Sequence, residues 1–501
     1  MYGPFTILWP PQCLPEQIEM SSKPNLKTAD PDRSSVANDI DNLARMDRET
    51  VLHPFTPVRA YEQGETGGPR IVETGQGIRI TDAKGVTSID GFAGLYCVNI
   101  GYGRQEVAEA IAEQARKLAY YHSYAGHTTR ELARLSHRLI SMAPGAMTKV
   151  FYGLSGSDAN ETQAKLVWHY HNLIGQPKKK KIIAHERGYH GCSVVSGSMT
   201  GMSFYHDHMD LPVGGILHTG VPHYYWGAEP GESEIAFSKR RATELEALIL
   251  KHDPTTVGAF IGEPVLGTGG IIPPPTGYWD EIQRVLQKYD VLLIADEVVT
   301  AFGRIGADFG SDAYGIKPDL ITVAKGLTSA YAPLSAVIVG NKVADALSTH
   351  SDEVGPFSHG YTYSGHPISV AAANANLDVL EKERLVEYVA SLGTALRDAL
   401  ADAVNGFPIV GEVRGAGMLA AIEFVADPKN KIRFDPTHKV GAKISGACLN
   451  NGLIARAMPH GDILGFAPPL ITTRDDMAEI AGIVRKSVSQ VCEELKKDGA
   501  I

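Results

Sequence analysis

The sequence predicts an α/β protein: a large domain with a mostly parallel central sheet flanked by helices, plus a smaller α+β domain formed by the chain ends. Three observations carry this. Between about residues 105 and 340, short apolar runs rich in β-branched residues recur: KVFYGL, KIIAHE, VGAFIGEP, VLLIADEV, LITVAK and SAVIVG. Nearly continuous hydrophobicity over roughly four to eight residues is how a strand buried on both faces reads, and parallel sheets are covered on both faces. Stretches with helical spacing, ELEALILKH and YWDEIQRVLQKY, lie between several of these runs, as crossover helices do. After about 367 the texture changes to a long helical stretch, AAANANLDVLEKERLVEYVASLGTALRDALADAV, followed by the short strands VGEVRGAG and MLAAIEFV.

In chain order, residues 1–40 are rich in Pro, Ser, Asp and Lys without sustained periodicity. They are expected to form a disordered extension, with Met20 as an alternative start. Residues 41–90 are assigned to the small domain; within them GQGIRITDAKGVTSIDGFAG alternates apolar and polar residues around a turn at Ala83 to Gly85, a hairpin pattern. Residues 91–366 make the large domain, and residues 367–501 the C-terminal part of the small one.

A chain of 501 residues, 44% hydrophobic and 21% charged, has ample core for more than one domain. Its net charge of −10 argues against nucleic acid or an acidic membrane surface as partner. The basic run Lys178 to Lys181 leads into the apolar IIA and reads as a solvated turn entering a strand. Five scattered cysteines (Cys13, Cys97, Cys192, Cys448, Cys492) form no C-x-x-C pair, which favours a reducing compartment and offers no disulfide or zinc framework. No apolar stretch is long enough to span a bilayer, and the N-terminus lacks a basic leader region and is broken by prolines. A cytoplasmic location is therefore expected, with no membrane partner. His206-Asp207-His208 hints at a metal, but no third ligand is identifiable, so no metal is expected.

The chemistry centres on Lys325, a single cationic side chain in the small and apolar stretch ITVAKGLTSAYAPLS. A desolvated ammonium is costly unless it is paired, neutralised or used covalently. Asp296 ends the apolar run VLLIAD, and Lys325 follows 29 positions later, close to the ~30 residues of one strand–crossover–strand unit. Both then stand at carboxyl ends of strands, where ligands of open α/β sheets lie; a buried salt bridge would read the same way. FYGLSGSDANETQAK runs from a strand through Ser155, Gly156 and Ser157 into a helix. Small residues and hydroxyls at a helix N-terminus suit a phosphate, or simply a helix cap. Tyr189 in HERGYHGCS follows another strand and could lie against a flat ring or pack in the core. A lysine amine, a buried carboxylate, a phosphate cradle and a stacking aromatic are jointly what pyridoxal phosphate requires.

The ordered set SGSDAN, GYHG, GEPVLGTGG, LLIADEVVTAFGR, ITVAKGLTSAYAPLSAV, HGYTYSGHP and APPL resembles the class III (ω-) aminotransferases of the fold-type I pyridoxal-phosphate enzymes. The resemblance extends from about residue 45 to the C-terminus. It implies that Lys325 carries the cofactor covalently and moves the proton, and that Asp296 partners the ring nitrogen. It further implies that Ser155, Gly156 and Ser157 hold the phosphate, that Tyr189 and Val298 pack the ring, and that Glu263 stands near the cofactor. Thr362 in GYTYSGHP matches a residue that reaches the phosphate in the neighbouring subunit, implying a homodimer with active sites at the subunit interface, or a tetramer.

Within that family, enzymes for 4-aminobutyrate or ornithine carry a glutamate in a G-E-G-G segment; here the segment is GTGG, with Thr268 in its place. This favours the amine:pyruvate branch. Tyr96 in GLYCVN and Phe55 in HPFT match substrate-pocket residues, and Arg456 in LIARAMPHGDILGF matches the arginine for the acceptor carboxylate. Met458, Pro459 and His460 lengthen the loop after it relative to the usual pattern. The implied reaction moves an amino group from a primary amine, diamine or ω-amino acid to an oxo-acid, pyruvate foremost, giving an aldehyde or ketone and alanine. A 4-aminobutyrate or β-alanine transaminase, or a decarboxylase or aminomutase of the same fold, are the alternatives.

Overall fold

A computed structural model of the chain describes residues 33–501. Two compact units are separated at Ile71 and Val72. In the smaller, a helix over Arg33–Thr50 and a short one over Val58–Glu62 are tied together by Asp47 of the first, which is hydrogen-bonded to Tyr61 of the second and to His53 of the connection. The first helix reaches back into the stretch expected to be disordered, up to residue 40; the rest of that extension, Met20 included, lies outside the described residues.

The larger unit holds fifteen strands: β1 Val72–Gln76, β2 Arg79–Asp82, β3 Thr87–Asp90, β4 Met147–Gly153, β5 Lys181–His185, β6 Ile216–Thr219, β7 Val257–Gly262, β8 Leu292–Asp296, β9 Leu320–Val323, β10 Ser335–Gly340, β11 Val410–Ala416, β12 Leu419–Phe424, β13 Leu453–Ile454, β14 Arg456–Ala457 and β15 Ile463–Phe466. Seven of them form the central sheet in the order β4-β10-β9-β8-β7-β5-β6. Neighbours from β9 to β6 are parallel, and β10 alone runs against both its neighbours. Every residue of β7, β8, β9 and β10 is buried, which explains their unbroken hydrophobic runs. One face is covered by the helix Gly156–Leu173, whose Ala159, Leu166 and Val167 pack on the strands. The other is covered by helices Glu234–Lys251 and Tyr278–Lys288, meeting at Leu245, Phe260 and Ile282.

Two smaller sheets complete the unit. One is antiparallel, β11-β12-β15-β14, and the other, β1-β2-β3-β13, joins strands near its start to Leu453–Ile454 near the C-terminus. The expected hairpin is β2–β3, its turn fixed by Asp82 Oδ1, which accepts from the amides of Lys84 and Val86 at 3.0 and 2.9 Å, and by Gly85 at φ +78°. The helical stretch after 367 is three helices rather than one, Pro367–Lys382, Leu385–Leu392 and Ala395–Val404, broken where Arg384 and Gly393 take positive φ. Strand β6, at the sheet edge, is only partly buried and carries no continuous apolar run, so the sequence did not announce it. Among the described residues no helix is long and apolar enough to cross a membrane.

Candidate active site

All strands of the central sheet except β10 run in one direction, and their carboxyl ends deliver side chains to one place. Ser155 follows β4, Tyr189 follows β5, Glu263 follows β7, Asp296 ends β8 and Lys325 follows β9. These residues, with Gly156, Ser157 and Val298, line one cavity of about 280 Å³. A crevice beyond the strand ends is where open α/β sheets place ligands.

Asp296 is 3% exposed. Its Oδ2 accepts from Asn160 Nδ2 at 2.8 Å and faces His190 Nδ1 at 2.8 Å; Oδ1 accepts from the Val298 amide at 3.2 Å. Asn160 is fixed in turn by Thr322 Oγ1, which donates to it at 2.8 Å and accepts from Gln163 at 3.0 Å. Among the described residues the buried Nε2 of His190 has no hydrogen-bond partner.

Lys325 sits at φ +39° in the turn after β9. Among the described residues its Nζ makes no ion pair, and it stands 6.0 Å from the centre of the Tyr96 ring. An unpaired amine in a lined cavity is chemically available in a way that a salt-bridged one is not.

The Ser155 side chain caps the helix Gly156–Leu173, accepting from Asp158 N at 3.2 Å, while Asp158 reaches back to the amides of Leu154 and Ser155 at 2.8 and 3.0 Å. The acidic residue of the first turn is thereby spent on backbone. Glycine is needed here: a Cβ on Gly156 would come 3.2 Å from Val298 Cγ2, and Gly191, at φ +129°, would set one 2.7 Å from Ser157 Oγ. Ser157 Oγ accepts from Cys192 N at 3.2 Å. The result is a close-packed backbone cradle at the positive end of an 18-residue helix, suited to an anion.

Glu263 is 5% exposed, with Oε1 accepting from Tyr189 N at 2.9 Å and Oε2 from Gly267 N at 2.8 Å. Burial pushes its carboxyl up to about 7, with the nearby Asp296 adding to the rise and the two amides opposing it. Burial likewise raises the Tyr189 phenol, so it stays protonated.

Four residues lie elsewhere than in this lining. Tyr96, at φ +64° and 2% exposed, packs on Phe92 and points its hydroxyl at Met458 Sδ, 4.0 Å away. Arg456 lies on β14 with its guanidinium 5.5 Å over the Phe92 ring and, among the described residues, no carboxylate or carbonyl partner. Its charge acts on Tyr96, Tyr189 and Tyr205. The extra residues after it are absorbed in the β14–β15 turn, closed by Met458 N donating to Ile463 O at 2.8 Å, so Arg456 stays paired in register with Gly465. Thr362 is exposed, its carbonyl accepting from Tyr120 at 2.6 Å, among the exposed rings of Tyr120, Tyr124 and Tyr363. Phe55 belongs to the smaller unit, where it is 74% exposed.

Asn160 and His190 went unassigned in the sequence, although both lie inside the motifs SGSDAN and GYHG. Cys97, which also lines the cavity, carried no signal beyond its place in GLYCVN. The His206 ring is spent on the Gly197 carbonyl at 3.0 Å.

Residues 60–488 match the family described as class-III aminotransferases. An uncharacterized aminotransferase, y4uB, of Sinorhizobium fredii is 66% identical over 92% of this chain and 99% of its own. A diaminobutyrate–2-oxoglutarate transaminase of Halomonas elongata is 54% identical over 92% and 98%. Among solved structures, the ω-transaminase of Pseudomonas jessenii in complex with PMP superposes with a TM-score of 0.87 at 40% identity, covering 91% of this chain and 99% of that one.

Proposed function

Because the chain belongs to the class-III aminotransferases, we propose that it transfers the amino group of a primary amine, diamine or ω-amino acid to an oxo-acid, with pyruvate as the foremost acceptor. Its cofactor is pyridoxal 5'-phosphate, and the residues present fit that group. The cavity offers the Lys325 amine, which makes no ion pair among the described residues, the buried and rigidly held carboxylate of Asp296, that of Glu263 beside it, and one helix N-terminus packed with glycine.

When bound, the cofactor supplies an electron sink for the pair released at the substrate carbon. Lys325 would hold it covalently through Nζ, and the same Nζ would serve as the base that takes the proton from the substrate carbon and the acid that gives it back. The charge of Asp296 would keep the ring nitrogen protonated, and Asn160 and His190 keep that carboxylate from turning away. Ser155, Gly156 and Ser157 are assigned to the phosphate, Tyr189 and Val298 to packing the ring, and Glu263 to fixing the Tyr189 backbone. Thr362 is assigned to the cofactor of a second copy of the chain, so the active unit is a homodimer, or a tetramer built from it. We also assign the domain boundary to the start of the helix at Pro367, and the protein to the cytoplasm.

The single observation that carries this reading is the unpaired amine of Lys325 sharing a cavity with the immobilised Asp296. For the acceptor, Thr268, which lines the cavity, stands by resemblance where related enzymes carry a glutamate, and among the described residues Arg456 has no acidic partner. That leaves the guanidinium open to an oxo-acid, with Tyr96 and Phe55 assigned to the donor's side chain. A second reading, 2-oxoglutarate as acceptor and a diamino acid as donor, is supported by the name of the 54% identical relative. Turnover of a donor panel with each acceptor separates them: stoichiometric alanine from pyruvate, without carbon dioxide, is expected. Glutamate formation in preference to alanine would favour the second reading, and carbon dioxide release a decarboxylase.

A further inference from the structure

Thr268 owes its place in the cavity wall to a tight and strained loop. Leu266 and Ile272 close its base with a pair of backbone bonds at 3.1 and 2.8 Å, and Glu263 accepts from Gly267 N. Ile271, wholly buried, adopts φ +50°. A β-branched residue in the left-handed region is costly and persists only where its surroundings over-determine it.

Two buried arginines supply that constraint. Arg187 donates through Nε to Gly269 O at 2.9 Å, with Nη2 on the same oxygen. Arg414 donates through Nη2 to Gly270 O at 2.6 Å and through Nε to Ile271 O at 2.9 Å. A Cβ on Gly270 would lie 2.7 Å from Arg187 Nη2 and 3.2 Å from Arg414 Nη2, so both guanidiniums press on that glycine. The arginines are themselves joined. Arg187 Nη1 faces His223 Nδ1 at 3.3 Å, His223 Nε2 faces Glu412 Oε2 at 3.1 Å, and Arg414 Nη1 donates to the same oxygen at 2.9 Å. Arginine can only donate, so His223 accepts at Nδ1 and donates at Nε2 as a neutral ring. The ring of contacts is closed, and Arg414 stands on β11, in the sheet whose β14 carries Arg456.

We propose that the ring Arg187–His223–Glu412–Arg414 is a set of positioning residues that holds the loop carrying Thr268 in the cavity wall and thereby sets the affinity for the acceptor oxo-acid. None of the four lines the cavity; they act through the backbone of residues 269–271. The inference rests on the transaminase reading above, with Arg456 meeting the acceptor.

The test uses the holoenzyme. Arg187→Met is expected to raise KM for the oxo-acid on the order of tenfold while kcat stays within about twofold. The visible band of bound cofactor should be unchanged, and amide hydrogen exchange across 267–271 faster. His223→Phe should act in the same direction, whereas His223→Gln, which keeps an acceptor and a donor, should restore the wild-type KM. If Arg187→Met does not fold, His223→Phe carries the test, because both arginines then retain their carbonyl partners. Folded variants with wild-type KM and wild-type exchange overturn the inference alone. An equal loss of kcat together with the cofactor band would also overturn it, marking the ring as a purely structural brace. A wild-type enzyme that aminates no oxo-acid overturns the functional reading and this inference with it.

Discussion

Asp296 and Arg456 are the anion and the cation on which the proposed chemistry turns, and the molecule holds them in opposite ways. Asp296 is buried at the end of a central strand, with Asn160, His190 and the Val298 amide on its oxygens. Arg456 sits on a two-residue strand, and its guanidinium rests on the Phe92 ring without a charged partner. A cation–π contact of this kind is worth about 0.5–1 kcal/mol, less than the ~1.5–3 kcal/mol of a hydrogen bond to a charged group. A group that must keep one charge state throughout a cycle is thus immobilised. A group that must grip an acid in one half-reaction and make way for an amine in the other is left nearly free.

Lys325→Ala should lower turnover by at least about 10³-fold, measured as alanine formation, with the Asp296 network intact. Asp296→Asn keeps the shape and removes the charge, and kcat should fall on the order of 10²-fold; near-normal turnover would remove Asp296 from its role. Arg456→Leu should raise the KM of the oxo-acid about tenfold or more, from loss of charge-assisted bonds, while the amine half-reaction is unaffected. Equal weakening of both half-reactions would mean that Arg456 is as fixed as Asp296.

The smallest effect concerns Glu263, held like Asp296 but raised by burial from 4.5 to about 7. Between those values the folded protein binds more protons at this site than the unfolded chain, so its contribution to stability is full below pH 4.5 and is lost as pH rises through 7. Glu263→Gln should remove that slope, seen as a difference from wild type in melting temperature of about 1–3 °C across the window.

The same contrast governs what could be read in the sequence. The strands carrying Lys325 and Asp296 are buried on both faces, so hydrophobicity marked them, and their polar ends stood out against the apolar runs. Edge strand β6 has no such contrast. The three-way break after 367 depends on positive φ at Arg384, a residue type that does not advertise it. Asn160 and His190 lie within readable motifs, yet their role requires three segments, those of 160, 190 and 296, to converge. The ring through Arg187, His223, Glu412 and Arg414 spans over two hundred positions, and its local trace is Gly270, against which both guanidiniums press.

The central claim is that Lys325 and its cavity run a two-step amino transfer, and the visible absorption of the purified protein tests it most directly. The account predicts a yellow band that bleaches on adding a primary amine and returns on adding pyruvate, and its absence as a covalently held species in Lys325→Ala. No band after incubation with excess pyridoxal phosphate, or an unchanged band in Lys325→Ala, would contradict it.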